Sequence, residues 1–244
     1  MGVLMLMSGL AGMATVAGGY VVLKIGQLTR HGLAFFLSLA AGIMLAVVAH
    51  DLIPAAVENG GSGFALLGFA AGWLFMMVMR TCVGLVMRRS PLASGEQFHY
   101  LRLGWFIAVV IALHDLPEGL AIGAGDAIHP DLGLMLALAI GMHNLPEGMS
   151  IAVPLRMAGM PGKQILAMIA VLGLFTPLGT LLGIVLFEMS SYGIGLSMAF
   201  AAGAMSYVVG RDLWPEAWIS SKWITVSGTL TGAALLLLFG HLHG

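Results

Sequence analysis

The sequence predicts an all-α integral membrane protein with eight transmembrane helices, and two observations carry that expectation. Hydrophobic residues make up 59% of the 244-residue chain and charged residues only 9%, against about 25% charged in an average soluble domain. Broken at its charges, prolines and glycine clusters, the chain also falls into apolar stretches of about 20 residues, the length that crosses a hydrocarbon core. This composition excludes a water-soluble globule, a disordered chain and a nucleic-acid binder with a basic footprint. Ten basic and eleven acidic residues leave a net charge of −1, so no nucleic acid is expected as a partner. The single cysteine, Cys82, excludes a disulfide framework and a four-cysteine zinc module.

The spans fall at about 3–23, 34–54, 64–87, 103–125, 132–155, 164–187, 194–213 and 223–240. They use up the chain, so residues 1–244 read as a single transmembrane domain without a soluble module. The longest connection is a short loop at about 88–102. Pairs at G-x-x-x-G spacing (Gly68/Gly72, Gly119/Gly123, Gly179/Gly183 and Gly228/Gly232) predict close helix contacts. The basic residues are Lys24, Arg30, Arg80, Arg88, Arg89, Arg102, Arg156, Lys163, Arg211 and Lys222. All lie at the loops or helix ends between spans 1/2, 3/4, 5/6 and 7/8. Glu58, Asp126, Asp131 and Glu188 lie on the other side. An excess of Lys and Arg marks the cytoplasmic side, which makes the four basic loops cytoplasmic and puts both termini outside. No basic region precedes the first apolar run, so a cleaved secretory signal is not expected.

Two internal repeats cross these spans. Residues 40–56 (AAGIMLAVVAHDLIPAA) and 201–217 (AAGAMSYVVGRDLWPEA) align without gaps, with ten of seventeen positions identical. Residues 114–123 (HDLPEGLAIG) and 143–152 (HNLPEGMSIA) share six of ten. The paired spans run in opposite directions, so spans 1–3 against 6–8, and span 4 against span 5, read as inverted repeats. Secondary transporters often carry this symmetry, with the substrate site at the repeat interface near the midplane.

The chemistry gathers in spans 4 and 5. His114, Asp115 and Glu118 sit near the middle of one, and His143, Asn144 and Glu147 near the middle of the other. Each ionisable group at that depth costs on the order of 2.5–3.5 kcal/mol on insertion scales. His114 and Glu118 are four residues apart, as are His143 and Glu147, so each pair shares a helix face. Pro117 and Pro146 lack the amide hydrogens that would bond the carbonyls of Leu113 and Met142. Gly119 and Gly148 are expected to let the two helices approach one another at this level. No Lys or Arg lies at this depth as a counter-ion. A divalent cation answers the charge problem: one against three carboxylates leaves −1, and two leave +1. The mixed imidazole and carboxylate set suits zinc and its first-row neighbours and argues against calcium or magnesium, which prefer oxygen alone. Two blander readings compete, namely interhelical hydrogen bonds that glue the spans and a proton relay without metal.

HDLPEG and HNLPEG on adjacent helices, within eight spans of this topology, resemble the ZIP (Zrt/Irt-like) family of divalent metal transporters, the bacterial members in particular. The likeness covers essentially the whole chain, and the doubled motif is specific. It implies a two-metal transport site. The first position takes His114, Glu118, His143 and Glu147; the second takes Asp115 and Asn144, with Glu118 and Glu147 bridging. It also implies a methionine ligand from the second helix, which Met44 matches, although packing explains a buried Met equally well. In many members a Glu stands before the Pro of the sixth helix. Here Thr176 stands before Pro177, which removes a carboxylate from the second position, while Asp115 stands where Asn is usual and restores one.

The resemblance implies a secondary transporter that moves Zn²⁺ (with Fe²⁺, Mn²⁺, Co²⁺ or Cd²⁺) across the bacterial inner membrane into the cytoplasm. The metal is then the substrate, no cofactor is required, and there are no catalytic residues. Partners are the metal ions and the lipid bilayer, with a homodimer left open. No nucleotide-binding G-x-x-x-x-G-K-[ST] stretch is present. The rivals are an intramembrane metal-dependent hydrolase, against which the absence of H-E-x-x-H counts, and a membrane metal sensor. His50 and Asp51, at the outer end of span 2, read either as a metal-collecting mouth with Glu58 and Asp126 or as a solvated helix end. Arg211 reads as an anchor to lipid phosphate, His99 as a loop residue, and His241 and His243 as weak metal ligands or solvated tail.

Overall fold

The structure, a computed structural model, describes residues 2–25, 29–88, 95–128, 130–186 and 191–243. Arg89 and Glu188 lie outside the described residues, as do the side chains of Arg88, His241 and His243. The described residues are helical apart from short turns and connections, with no strand among them. Its helices are α1 (Gly2–Lys24), α2 (Arg30–Val47), α3 (Ile53–Arg88), α4 (Glu96–Ile128), α5 (Pro130–Met157), α6 (Gly162–Leu172), α7 (Phe175–Leu186), α8 (Ser191–Val208), α9 (Trp214–Ser220) and α10 (Lys222–His243). Among the described residues, five helical stretches are long and apolar enough to cross a membrane: Gly2–Lys24, Arg30–Cys82, Glu96–Gly123, Gly162–Val185 and Tyr192–Ser220. The second, at 53 residues, is far longer than the roughly 20 that one crossing needs. It is broken at Gly61, whose φ of 75° lies outside the helical region and is open to glycine at no steric cost.

Local chemistry sets the helix ends. The Thr29 hydroxyl accepts a hydrogen bond from the Gly32 amide and caps α2. At the end of α5, the Gly159 amide donates to the Arg156 carbonyl and the Met160 amide to that of Leu155. Gly159 has a φ of 82°, and Pro161 follows: the left-handed stop that glycine favours. Helix α4 starts at Glu96, earlier than the expected 103. Its first turn is held by Arg30, which donates to Glu96 at 2.8 Å, and by the Tyr100 hydroxyl at 3.1 Å. Apolar length alone missed this polar turn, because it lies beyond the hydrophobic stretch. The loop expected at 88–102 shrinks accordingly.

The repeated stretches share a local irregularity. Val48–Leu52 joins α2 to α3 as a π-helical turn, and Val209–Leu213 joins α8 to α9 in the same way. The two turns occupy matching positions of the 40–56 and 201–217 alignment. Such bulges often mark functional sites.

The helices sort into two bundles. Helices α1, α4, α5, α6 and α7 pack chiefly on one another, and so do α2, α3, α8, α9 and α10; the bundles meet where α4 lies on α8 and α5 on α2. Glycine sets the spacing inside each bundle. A Cβ at Gly68 or Gly72 would strike α8, at Gly228 or Gly232 it would strike α2, and at Gly123 it would strike α7. Gly119 and Gly148 depart from expectation. Gly119 faces Thr176 and Gly179 on α7, and Gly148 faces Thr15 on α1, so neither brings α4 and α5 together. The G-x-x-x-G spacing located the small faces but could not choose their partners. Buried polar side chains concentrate in the first bundle: Ser8, Thr15, Ser150, Thr176 and Thr180 join the six motif residues, against Ser38, Asp212 and Thr225 in the second.

Candidate metal site

All six polar residues of the two motifs are buried, none exposing more than 1% of its surface. Pro117 and Pro146 sit inside continuous helices beside them. The pairing runs across the helices. Nε2 of His114 on α4 lies 2.9 Å from Oε1 of Glu147 on α5, and Nε2 of His143 on α5 lies 2.9 Å from Oε2 of Glu118 on α4. Shared helix faces within each motif were the expectation; the structure turns those faces towards each other, so that each imidazole meets the opposite carboxylate. Asp115 Oδ1 lies 3.6 Å from His114 Nε2.

Neighbouring groups hold these side chains. Nδ1 of His114 donates to the Val110 carbonyl at 3.2 Å, since a carbonyl can only accept. In the neutral ring that leaves a lone pair on Nε2, the orientation a metal-ligating imidazole takes from a carbonyl behind it. Two acceptors 2.9 Å apart, Nε2 and Glu147 Oε1, then need a positive charge between them, from a proton or a metal ion. Asn144 donates to the Ala11 carbonyl of α1 at 2.9 Å, leaving its own oxygen pointing elsewhere. Ser150 donates to the Glu147 carbonyl at 2.7 Å. Ser150 and the carbonyls of Val110 and Ala11 were not foreseen from the sequence. A hydroxyl residue in an apolar helix could have flagged the first; a backbone partner leaves no such mark.

Several buried acceptors in the cluster have no hydrogen-bond partner: both oxygens of Asp115, Glu118 Oε1, Glu147 Oε2 and Asn144 Oδ1. A buried polar group without a partner is costly, so interhelical glue alone does not account for the arrangement. Among the described residues, two groups are compact enough to hold a metal ion, His114–Asp115–Glu118 and Glu118–His143–Glu147, each with one donor atom per residue within 4.8 Å of the others. They share Glu118. Among the described residues, no Lys or Arg forms an ion pair with any of them.

The remaining candidates divide. Thr176 is buried beside α4, with its hydroxyl lacking a partner. Met44 is buried in the apolar core. His50 and Asp51 bond each other at 2.9 Å, and Asp51 also lines a cavity of about 30 Å³ with Glu118 and His143. Among the described residues, no hydrogen bond or ion pair joins Glu58 or Asp126 to this pair. His99, expected in a loop, lies in α4 and bonds Glu216 of α9 at 3.1 Å.

A helical chain with membrane-length apolar stretches and a buried acid–imidazole cluster between two of its helices is of the class of membrane proteins with a site fit for a metal ion between their helices. Residues 92–240 match the family model described as ZIP zinc transporter. The chain is 33% identical to the zinc transporter ZupT of Corynebacterium glutamicum over 93% of this chain and 94% of that protein. It is 32% identical to ZupT of Chlorobium luteolum over 96% and 95%, and 32% identical to the zinc transporter GufA of Myxococcus xanthus over 88% and 89%. This chain belongs to the ZIP zinc transporter family. The family is one of transporters and not enzymes, so the hydrolase reading is not favoured.

Proposed function

We propose that the chain is a secondary transporter carrying Zn²⁺, and also Fe²⁺, Mn²⁺, Co²⁺ or Cd²⁺, across the inner membrane into the cytoplasm through the α4/α5 cluster. The observation that carries this reading is the crossed pair of buried His–Glu contacts with unpartnered carboxylate oxygens around them. Three carboxylates and two imidazoles without Lys or Arg call for a mobile dication. The names of the relatives support zinc as the ion. His114, Glu118, His143 and Glu147 form the first position; Asp115 and Asn144 extend it to a second, with Glu118 and Glu147 bridging. Met44 offers a thioether from α2. Asp51 stands at the mouth, because the small cavity it lines reaches Glu118 and His143.

The topology goes with this reading. Eight crossings follow if the helical run 30–88 is taken as two legs parted at Gly61, with α6 and α7 as one crossing and α8 and α9 as another. The matched π-turns support an inverted repeat. Ion pairs that join the basic helix ends, Arg30 to Glu96 and Arg80 to Asp212, support one basic, cytoplasmic side, with both termini outside.

The test is Zn²⁺ uptake into proteoliposomes, read by a zinc dye in the lumen; protein that binds zinc without moving it overturns the reading. Two further results are expected. Ligands must lose their protons to bind metal, so acid competes with zinc, and the apparent affinity weakens as pH falls from 7 to 5. An affinity flat over that range counts against these ligands. Adding a carboxylate with Thr176→Glu is expected to tighten zinc at the second position, measured by calorimetry; an unchanged affinity removes Thr176 from that position.

A further inference from the structure

A second polar site lies at the basic end of the molecule, away from the α4/α5 cluster. A cavity of about 460 Å³ opens between α3, α4, the Val209–Leu213 turn and α9, and three arginines, Arg80, Arg102 and Arg211, line it. Both carboxylates in its wall have a partner, Asp212 through one of its two oxygens. Arg80 donates to Asp212 at 3.0 Å, and Glu216 takes His99 at 3.1 Å. Arg102 and Arg211 have no hydrogen bond or ion pair among the described residues. Two guanidiniums facing one cavity repel each other, and an anion between them removes that repulsion. The same arginines repel a dication, so the cavity is poorly suited to hold metal.

Three features name the anion's source. The neighbouring chain carries the aromatic and basic residues of a membrane interface: Trp214 stacks on Trp218, Lys222 lies over the Trp218 ring, and Trp223 is 86% exposed. The cavity is therefore at headgroup depth. Its rim is apolar, with Leu85 and Ile219 both largely exposed, so it opens towards acyl chains and not towards water alone. Guanidinium binds phosphate oxygens in a two-pronged geometry, and basic pockets between membrane helices take anionic headgroups. We propose that this cavity binds the phosphate of an anionic glycerophospholipid between Arg102 and Arg211. The inference rests on the chain being in a membrane and not on its metal chemistry.

Protein purified in detergent is titrated, without metal, with phosphatidylglycerol, phosphatidylcholine or inorganic phosphate, and bound lipid is counted by native mass spectrometry. One retained phosphatidylglycerol per chain is expected, in preference to phosphatidylcholine. Each arginine near the surface is worth on the order of fivefold in binding, so Arg102→Gln with Arg211→Gln should weaken retention about thirtyfold. Lys24→Gln with Lys163→Gln removes the same charge elsewhere at the basic end and should leave retention unchanged. Ile219→Glu, which puts a carboxylate on the exposed rim, should weaken it while leaving the internal packing alone. Competition by inorganic phosphate with no preference between the lipids supports the phosphate chemistry and overturns the lipid source. No preference and no competition, or equal losses in both double variants, overturns the site. A chain that retained the lipid but moved no zinc would leave this inference standing and overturn only the transport reading.

Discussion

Replacing Glu147 or Glu118 with Gln is expected to abolish zinc uptake while the protein still folds. Each carboxylate lies 2.9 Å from the imidazole of the opposite helix, and the amide of Gln keeps a neutral partner there, its N–H able to donate to a ring nitrogen that carries a lone pair. The substitution removes a negative charge from a site where no Lys or Arg compensates, and so removes what makes the site attractive to a dication. Loss of an outer partner of a metal ligand typically costs about 10–100-fold in affinity or activity; loss of a ligand shared by both candidate metal groups, as Glu118 is, should exceed that. Uptake into proteoliposomes and zinc binding by calorimetry, on variants that elute like wild type from a sizing column, make the check. Near-wild-type uptake in both variants would remove the α4/α5 cluster as the transport site.

Gly148→Ala is expected to produce the largest loss of stability from a single methyl group. Its Cβ would fall on the Thr15 carbonyl of α1, a backbone atom that cannot rotate aside. Helices α1 and α5 must then separate, which strips packing from the bundle that positions Asn144 through the Ala11 carbonyl. Overpacking of a close contact costs about 1–3 kcal/mol, and a rigid backbone obstacle places this case at the upper end. For a chain of this size that amounts to a fall in melting temperature of about 10 °C. Gly9→Ala and Gly63→Ala meet nothing within 4 Å and should melt with wild type. Thermal unfolding in detergent separates the cases, and a Gly148→Ala protein as stable as Gly9→Ala would contradict the helix contact.

The polar residues of the cluster were legible because their spacing is local. Residues four apart on a helix share a face whatever surrounds the helix, so His114 with Glu118 and His143 with Glu147 stood out as two polar faces in apolar spans. Their crossed partners were not legible, because spacing along one helix says nothing about which residue of another helix it meets. Gly119 and Gly148 show the same limit. Their small faces could be read from the chain, but the helices that fill them, α7 and α1, depend on how five helices dock. Asp51 was ambiguous for a related reason. Its place at the end of an apolar run suits a solvated carboxylate, and only the packing of α2 against α5 and α8 puts it on the same small cavity as Glu118 and His143.

Composition and spacing alone determined a helical membrane protein with a buried acid–imidazole cluster, because apolar length and helical period act within single segments. Tertiary structure alone decided the crossed His–Glu contacts, the Ala11 carbonyl that holds Asn144 and the arginine cavity at the basic end. Those features depend on contacts between residues far apart in the chain, and such contacts exist only once the helices have chosen their neighbours.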